Sequence, residues 1–196
     1  FGVNPTRSFW SNFERMEGLV SHLHLLAYLF LISIFFRKEI LWRLYLHASL
    51  FVSFLLALFG FWQLAGKAVI NQGGVRLDAT FGNATYLAIY MLFHFFIAAY
   101  YLFKSENNIV KFLYGGLMFI QGIILYHTAT RGAILGFLGA IFLVALLLAL
   151  FDSGRKRMFG GVAMAVLIIF ALLFLGIKDS RFVRSSPVLS RFASIS

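Results

Sequence analysis

Six long apolar runs, separated by short polar joints, constrain the fold of this 196-residue chain more than any other feature. Hydrophobic residues make up 61% of the chain and charged residues only 12%, whereas about 25% of a soluble domain is usually charged. One globular core of this length cannot bury so much apolar surface, so a lipid bilayer is the expected solvent. In lipid each run must satisfy its own backbone hydrogen bonds as a helix, and the runs lack the alternation of a β-barrel.

The predicted fold is all-α: a multi-pass transmembrane helical bundle of about six spans, forming a single membrane domain over residues 1–196. The predicted spans are residues 21–36, 44–66, 84–103, 109–126, 133–151 and 159–176. A short helix at the membrane interface is predicted before them, because Ser11 and Glu14 have capping-box spacing. Apolar residues recur there at helical spacing: Phe9, Phe13, Met16 and Val20. An ordinary loop leading into the first span is the alternative.

The parity of the crossings sorts the polar joints between the two faces of the membrane. Residues 67–83 and 127–132 are two crossings apart, so they are expected on one face, together with residues 1–20 and 177–196. The two faces carry nearly equal numbers of Lys and Arg, so the positive-inside rule does not decide the orientation. We favour the opposite face as cytoplasmic, because its loops are tight and their cations cluster at helix ends.

The joint before the third span contains an arginine and a helix cap. Gly73 and Gly74 give the backbone freedom before Arg76. Thr80 and Asn83 follow in the same loop, and Asn83 can cap the helix of the third span. The N-terminal end of a helix attracts anions, and a guanidinium beside it can grip a phosphate through its planar fork. The alternative is an arginine that snorkels to lipid headgroups next to a routine cap.

The joint before the fifth span contains the second arginine. Arg131 stands at the edge of an apolar helix, where a charge is costly and a partner is expected. Glycines that follow it would allow close helix packing around it: Gly132, Gly136 and Gly139. His127, four residues earlier, is either a proton-transfer group or an interfacial histidine bonded to the backbone.

The remaining polar residues suggest fewer roles. Three tail arginines could extend an anion-binding surface or lie on acidic headgroups: Arg181, Arg184 and Arg191. Asp78 is expected to pair with Arg76 or a loop N–H, and His94 to be a packed polar residue. The net charge of +10 lies in short joints, which favours lipid or anionic substrates over nucleic acid. The chain has no cysteine and no zinc, P-loop or dinucleotide motif, so neither a metal nor a cofactor is predicted.

Three stretches in this order resemble a known family. Residues 80–88 (Thr-Phe-Gly-Asn-Ala-Thr-Tyr-Leu-Ala) follow Arg76, residues 130–133 read Thr-Arg-Gly-Ala, and residues 8–18 form an aromatic opening segment. They are similar to motifs of the O-antigen ligase and O-antigen polymerase superfamily of polytopic bacterial glycosyltransferases. There an arginine precedes Gly-Thr-Phe-Gly-Asn-Pro-Asn-Tyr-Leu-Ala, and Ser-Arg-Gly-Ala follows. This chain departs from the pattern at Ala79, in place of glycine, and at residues 84–85, Ala-Thr in place of Pro-Asn.

The resemblance implies a metal-independent enzyme of the bacterial inner membrane with its site on the periplasmic side. It would transfer a glycan from undecaprenyl diphosphate to lipid A core, a growing glycan or a protein hydroxyl. Arg76 and Arg131, with Thr80 and Asn83, are the residues expected to bind the diphosphate. The family's catalytic histidine lies in a downstream periplasmic loop, and His127 is not its equivalent. We therefore expect this chain, which begins without methionine, to be the central fragment of a longer protein, with its catalytic base unknown.

Two other classes of function stay open. An anion or lipid transporter would use the same arginines to bind a translocated solute, and it predicts polar or broken helices near the membrane midplane. The fifth and sixth spans have almost no polar side chains, which favours a site at the surface. A non-catalytic membrane scaffold would not need either arginine.

Overall fold

The computed structural model describes residues 4–11, 18–72 and 74–193. Its helices in chain order are α1 (Pro5–Trp10), α2 (Leu19–Phe35), α3 (Glu39–Leu64), α4 (Ala84–Lys104), α5 (Asn108–His127), α6 (Arg131–Phe151), α7 (Gly154–Ile177), α8 (Arg181–Ser185) and α9 (Leu189–Ala193). A 3-10 turn, Ala79–Phe81, precedes α4. Over these residues there is no strand, so the predicted all-α fold is confirmed.

Five helices, α3 to α7, are long and apolar enough to cross a membrane, with 20 to 26 residues each. A helix rises about 1.5 Å per residue, so 20 residues span roughly the 30 Å of a hydrocarbon core. The remaining predicted span corresponds to α2, which is apolar but has only 17 residues. The described helices therefore indicate a membrane protein.

Two helices begin five residues earlier than the apolar pattern predicts. The second span was expected from residue 44, but α3 starts at Glu39. The last was expected from residue 159, but α7 starts at Gly154 and includes three basic residues. Arginine, lysine and glutamate are good helix formers whose long side chains can reach water or headgroups, so a helix continues past the apolar run.

The chain divides into two compact units, Phe1–Ala48 and Ser49–Ser196, and the division falls inside α3. In the first unit, Asn4 caps α1 and Ser11 ends it. The interfacial helix predicted to follow Ser11 depends on residues 12–17, which lie outside the described ones. Phe36 packs on Trp42 and Tyr45, with ring centroids 5.1 and 5.4 Å apart, as is typical of aromatic side chains at a membrane interface.

In the second unit, α4 packs on α5 and α6 packs on α7. Small residues permit the closest approaches: Gly60 of α3 lies against Ile124, and Gly160 of α7 lies against the α6 backbone near Ala145. The prediction that Gly132, Gly136 and Gly139 serve close packing is wrong for the described residues, because an added Cβ at any of them would meet no atom within 4 Å. The sequence alone does not show which face of α6 meets α7.

A buried polar group lies about halfway along α3 and α4. Ser49 Oγ is 2.6 Å from Nε2 of His94, whose Nδ1 lies 2.7 Å from the Tyr90 carbonyl oxygen. A carbonyl can only accept, so Nδ1 carries the hydrogen, and in the neutral ring Nε2 accepts the hydrogen of the Ser49 hydroxyl. Nearby along α3, Ser53 accepts a 2.8 Å hydrogen bond from Gln121 of α5. His94 is packed and hydrogen-bonded, as the sequence predicted.

Aromatic side chains mark both ends of the helices in the second unit. Trp62, Tyr86 and Tyr126 are exposed at the end where α3 stops, α4 begins and α5 stops. At the other end Tyr100 is exposed, and the ammonium of Lys104 lies 5.6 Å from its ring centroid. Tyrosine and tryptophan favour the headgroup level, so the loops beyond Trp62 and Tyr126 lie just outside the apolar layer.

Candidate functional site

Arg76 joins the two polar loops at this end of the second unit. Its Nε donates a hydrogen bond of 3.1 Å to the carbonyl oxygen of Thr128, and Nη2 donates one of 3.2 Å to Thr130 Oγ1. The backbone N–H of Leu77 bonds the His127 carbonyl oxygen at 3.3 Å. The loop before α4 and the loop before α6 therefore meet, as the parity of the crossings predicts for them. The side chain of Arg76 is bound by the protein, rather than simply snorkelling to headgroups.

Thr130 is the centre of this contact. Its hydroxyl receives the Arg76 bond and lies 3.4 Å from the carbonyl oxygen of Ala84, the first residue of α4. Thr130 also immediately precedes Arg131. Arg131 is the first residue of α6 and is half-buried. The fold thus brings the side chain of Arg76, the start of α4 and the backbone of Arg131 together at one end of the bundle.

Asn83 and Thr80 occupy different positions around this centre. The Asn83 side-chain oxygen accepts a 2.8 Å hydrogen bond from the Thr85 N–H, so its predicted role as cap of α4 is confirmed. Thr80 is exposed in the 3-10 turn. Phe81 beside it packs on Tyr90, with ring centroids 5.3 Å apart. Thr80 is therefore placed to meet a ligand from outside, whereas Asn83 first stabilises the helix end.

A buried carboxylate, that of Asp78, holds the Arg76 loop in shape. Asp78 has no exposed surface, and it accepts hydrogen bonds from Gln63 Nε2 at 2.8 Å and from the Gln72 backbone N–H at 3.0 Å. The backbone N–H of Gln72 is thus a loop N–H of the kind that the sequence predicted as one partner of Asp78. Arg76, the other suggested partner, uses its two bonds elsewhere.

The two glutamines extend this network to both ends of the loop. Gln63 Oε1 accepts a 2.9 Å hydrogen bond from the Ala79 N–H, and Gln72 Oε1 accepts one of 3.1 Å from the Ala84 N–H. The Gln63 side chain donates and accepts at once, whereas Gln72 donates to Asp78 through its backbone N–H and accepts through its side chain. No periodic pattern in the sequence marks either glutamine, and the position of Asp78 within a polar loop is the signal that the sequence offers for this network.

The 3-10 turn begins and ends with a left-handed backbone. Ala79 has φ +44, in the left-handed region that favours glycine. Gly82 has φ +64 and ends the 3-10 turn. The loop therefore keeps a conformation that glycine would adopt more easily, with alanine in its place.

Another cation, Arg191, lies close enough to Arg76 for the two positive charges to interact. Burial lowers the pKa of the Arg76 guanidinium, and the positive charge of Arg191 lowers it further. Of the tail arginines, Arg191 on α9 is thus near Arg76, whereas Arg184 forms a 3.5 Å ion pair with Asp179 on the surface. Placing cations near one another is costly unless an anion joins them, so the site suits a negatively charged ligand.

A metal ion is not suggested by the described side chains. Over residues 4–11, 18–72 and 74–193, no three His, Asp or Glu side chains gather in a way that could hold one. Asp78 is occupied by glutamine and backbone donors.

Apolar helices with a cationic loop cluster at one end define the class: an integral membrane protein with a candidate anion site at the edge of its apolar layer. No protein-family model, curated protein or solved structure matches the chain.

Proposed function

We propose that this protein is a membrane glycosyltransferase that takes a glycan from a lipid-linked diphosphate donor, with Arg76 and Arg131 binding the diphosphate. The single observation that carries the proposal is the bridge from Arg76 to Thr128 and Thr130, which fixes a guanidinium beside the start of α6, where Arg131 lies. The bond to Thr128 uses Nε and the bond to Thr130 uses Nη2, so Nη1 takes part in neither bond.

The position of the site suits a donor whose lipid stays in the bilayer. The loops of Arg76 and Thr130 follow directly on helix ends marked by Trp62 and Tyr126. A polyprenyl chain such as that of undecaprenyl diphosphate would lie along the apolar helices, and its diphosphate would reach the level of these loops. Thr80, exposed in the 3-10 turn, would contact the diphosphate or the first sugar.

The chemistry needs neutralisation of the leaving group. In the transfer, the bond between the sugar's anomeric carbon and the phosphate oxygen breaks, and an acceptor hydroxyl oxygen forms the new bond. A base takes the hydroxyl proton, and the lipid diphosphate departs with additional negative charge. Fixed cations aimed at that charge lower the barrier without a metal. Ligation to a lipid, polymerisation and protein glycosylation share this step.

The family resemblance would place the protein in a bacterial inner membrane, with the site on the periplasmic side. One observation favours a transporter instead. Ser49, His94 and Gln121 form polar contacts about halfway along the helices, where an anion or lipid transporter would carry its solute. These contacts are already made within the protein, so the proposal keeps the surface site as the functional one.

The test separates a structural from a catalytic role of the arginines. Arg131→Ala and Arg76→Lys in the full-length protein should reduce glycan transfer in membranes on the order of a hundredfold, as for loss of an oriented charge donor. Arg184→Ala is the matched control, because it removes an exposed arginine that is paired with Asp179 at 3.5 Å and leaves the bridge and both site cations in place, and it should keep most activity. Normal transfer by Arg131→Ala and by Arg76→Ala, with both variants folded, would contradict the proposal. Solute uptake by liposomes containing the protein, without transfer, would favour the transporter.

A further inference from the structure

The end of the second unit opposite Arg76 carries a separate group of cations. Arg155, Lys156 and Arg157 are consecutive in the first turn of α7, and all three are exposed. We call these three residues the α7 basic collar. Between Arg131 and Phe151, α6 runs 21 residues from one end to the other, about 31 Å at 1.5 Å per residue, so the collar is distinct from the candidate site.

The collar is placed where a helix tolerates cations least. The N-terminal end of a helix is the positive end of its dipole and favours acidic residues, yet the first turn of α7 has none. Asp152 approaches Lys156 only to 3.9 Å, with the two side chains 36% and 74% exposed. By contrast, Lys104 lies in the last turn of α4, the end that favours cations, beside Tyr100. Negative charge from outside these helices would therefore stabilise the positive charge of the collar.

The arrangement of the collar decides which anion fits. Successive residues of a helix are about 100° apart around its axis, so three in a row spread over more than half of the circumference. They cannot converge on one phosphate as a binding pocket would. A surface of many headgroups can instead offer a phosphate to each side chain.

The apolar residues that follow the collar place it at headgroup level. Met158 and Phe159 come directly after Arg157 and are each 67% exposed. Most of the remaining length of α7 is apolar and exposed as well, with 6% of its most apolar window buried. The hydrocarbon layer therefore begins within one turn of the collar.

We propose that the α7 basic collar binds the phosphate groups of anionic phospholipids and thereby anchors this end of the α6–α7 hairpin to an acidic membrane surface. Each basic side chain near such a surface favours an anionic lipid roughly fivefold. This proposal does not depend on glycan transfer or on either arginine of the candidate site.

The experiment compares thermal unfolding of the full chain in nanodiscs of phosphatidylcholine alone and with about a third phosphatidylglycerol. The unfolding midpoint of the parent protein should rise with the anionic lipid. R155Q/K156Q/R157Q should lose that rise and, in phosphatidylcholine, unfold at the same temperature as the parent or higher, because the unfavourable charges at the helix dipole are gone. K104Q, the matched control, removes one cation at the same end of the second unit but outside the collar, and it should lose clearly less of the response to phosphatidylglycerol than the triple variant.

Three results would overturn the proposal: no response of the parent protein to phosphatidylglycerol, an undiminished response in R155Q/K156Q/R157Q, or equal stabilisation of the parent by millimolar inorganic phosphate in phosphatidylcholine. The last would indicate a discrete anion site. If the triple variant does not fold, R155K/R157K and K156Q serve instead: the first should keep the full response and the second should reduce it.

Discussion

Nε of Arg76 donates a hydrogen bond to the carbonyl oxygen of Thr128, a residue 52 positions further along the chain. The two long helices α4 and α5 lie between these residues, so the bond closes the α4–α5 hairpin at its open end. The same guanidinium reaches Thr130 Oγ1. The side chain of Arg76 therefore connects two loops, and binding an anion would be a second role of the same side chain.

The connector role predicts that charge alone cannot replace Arg76. Arg76→Lys keeps the cation, but an ammonium on a flexible stem does not match two acceptors in the plane of a guanidinium. Hydrogen bonds from charged groups contribute about 1.5–3 kcal/mol each, and partial rearrangement offsets some of that loss. We expect both Arg76→Lys and Arg76→Ala to lower the free energy of unfolding by about 1–3 kcal/mol, measured by chemical unfolding in mild detergent.

Arg184→Ala is the control for that measurement, because Arg184 makes only an exposed ion pair with Asp179. Such pairs contribute about 0–1 kcal/mol. Equal stability of Arg76→Lys and the parent protein would mean that the bridge to Thr128 and Thr130 does not hold the loops together.

Asp78 is predicted to matter for stability through its buried hydrogen bonds. Both of its oxygens accept from donors, Gln63 Nε2 and the Gln72 N–H. In Asp78→Asn one acceptor becomes an NH₂ group, which would face a donor in a site without exposed surface. An unsatisfied buried group costs about 1–3 kcal/mol. Thermal unfolding in mild detergent measures the effect, and Asp179→Asn, at a side chain that is 77% exposed, is the matched control and should be neutral. Equal midpoints for both variants would contradict the buried network.

The helices could be predicted from the sequence more fully than the loop network. In lipid, an apolar run of about 20 residues satisfies its backbone hydrogen bonds as a helix. The helices α3 to α7 could therefore be predicted from the hydrophobic pattern of the sequence. Parity then placed the loops of Arg76 and Arg131 at one end. The bridges from Gln63 and Gln72 to Asp78 depend on the path of an irregular loop, which no periodicity encodes. Gly132, Gly136 and Gly139 gave a wrong packing prediction for a related reason: spacing shows that a helix could pack closely, but not which face has a neighbour.

The packing of α6 on α7 gives a test with matched glycines. A Cβ added at Gly160 would lie 2.6 Å from the Ala145 carbonyl oxygen and 2.8 Å from the Ala149 nitrogen, both backbone atoms that cannot turn aside. At Gly136 the same atom would meet none of the described residues within 4 Å. Gly160→Ala should therefore destabilise the protein by about 1–3 kcal/mol through overpacking. Gly136→Ala should be neutral or slightly stabilising, since alanine is the better helix former. Unfolding midpoints in detergent measure both, and a neutral Gly160→Ala would place α7 further from α6.

The contact of Ser49 with His94 tests whether the polar group within the helices holds them together. Ser49→Ala would leave Nε2 of His94 without its hydroxyl donor in a region where water is scarce, whereas the parent bond is short at 2.6 Å. Polar contacts between helices in membranes contribute about 0.6–2 kcal/mol, so we expect a loss of that size in the free energy of unfolding. Ser33 makes a 2.8 Å bond to Leu29 within its own helix. Because that bond joins no two helices, Ser33→Ala should change stability by less than Ser49→Ala. A larger effect at Ser33 would mean that the Ser49–His94 contact does not tie α3 to α4.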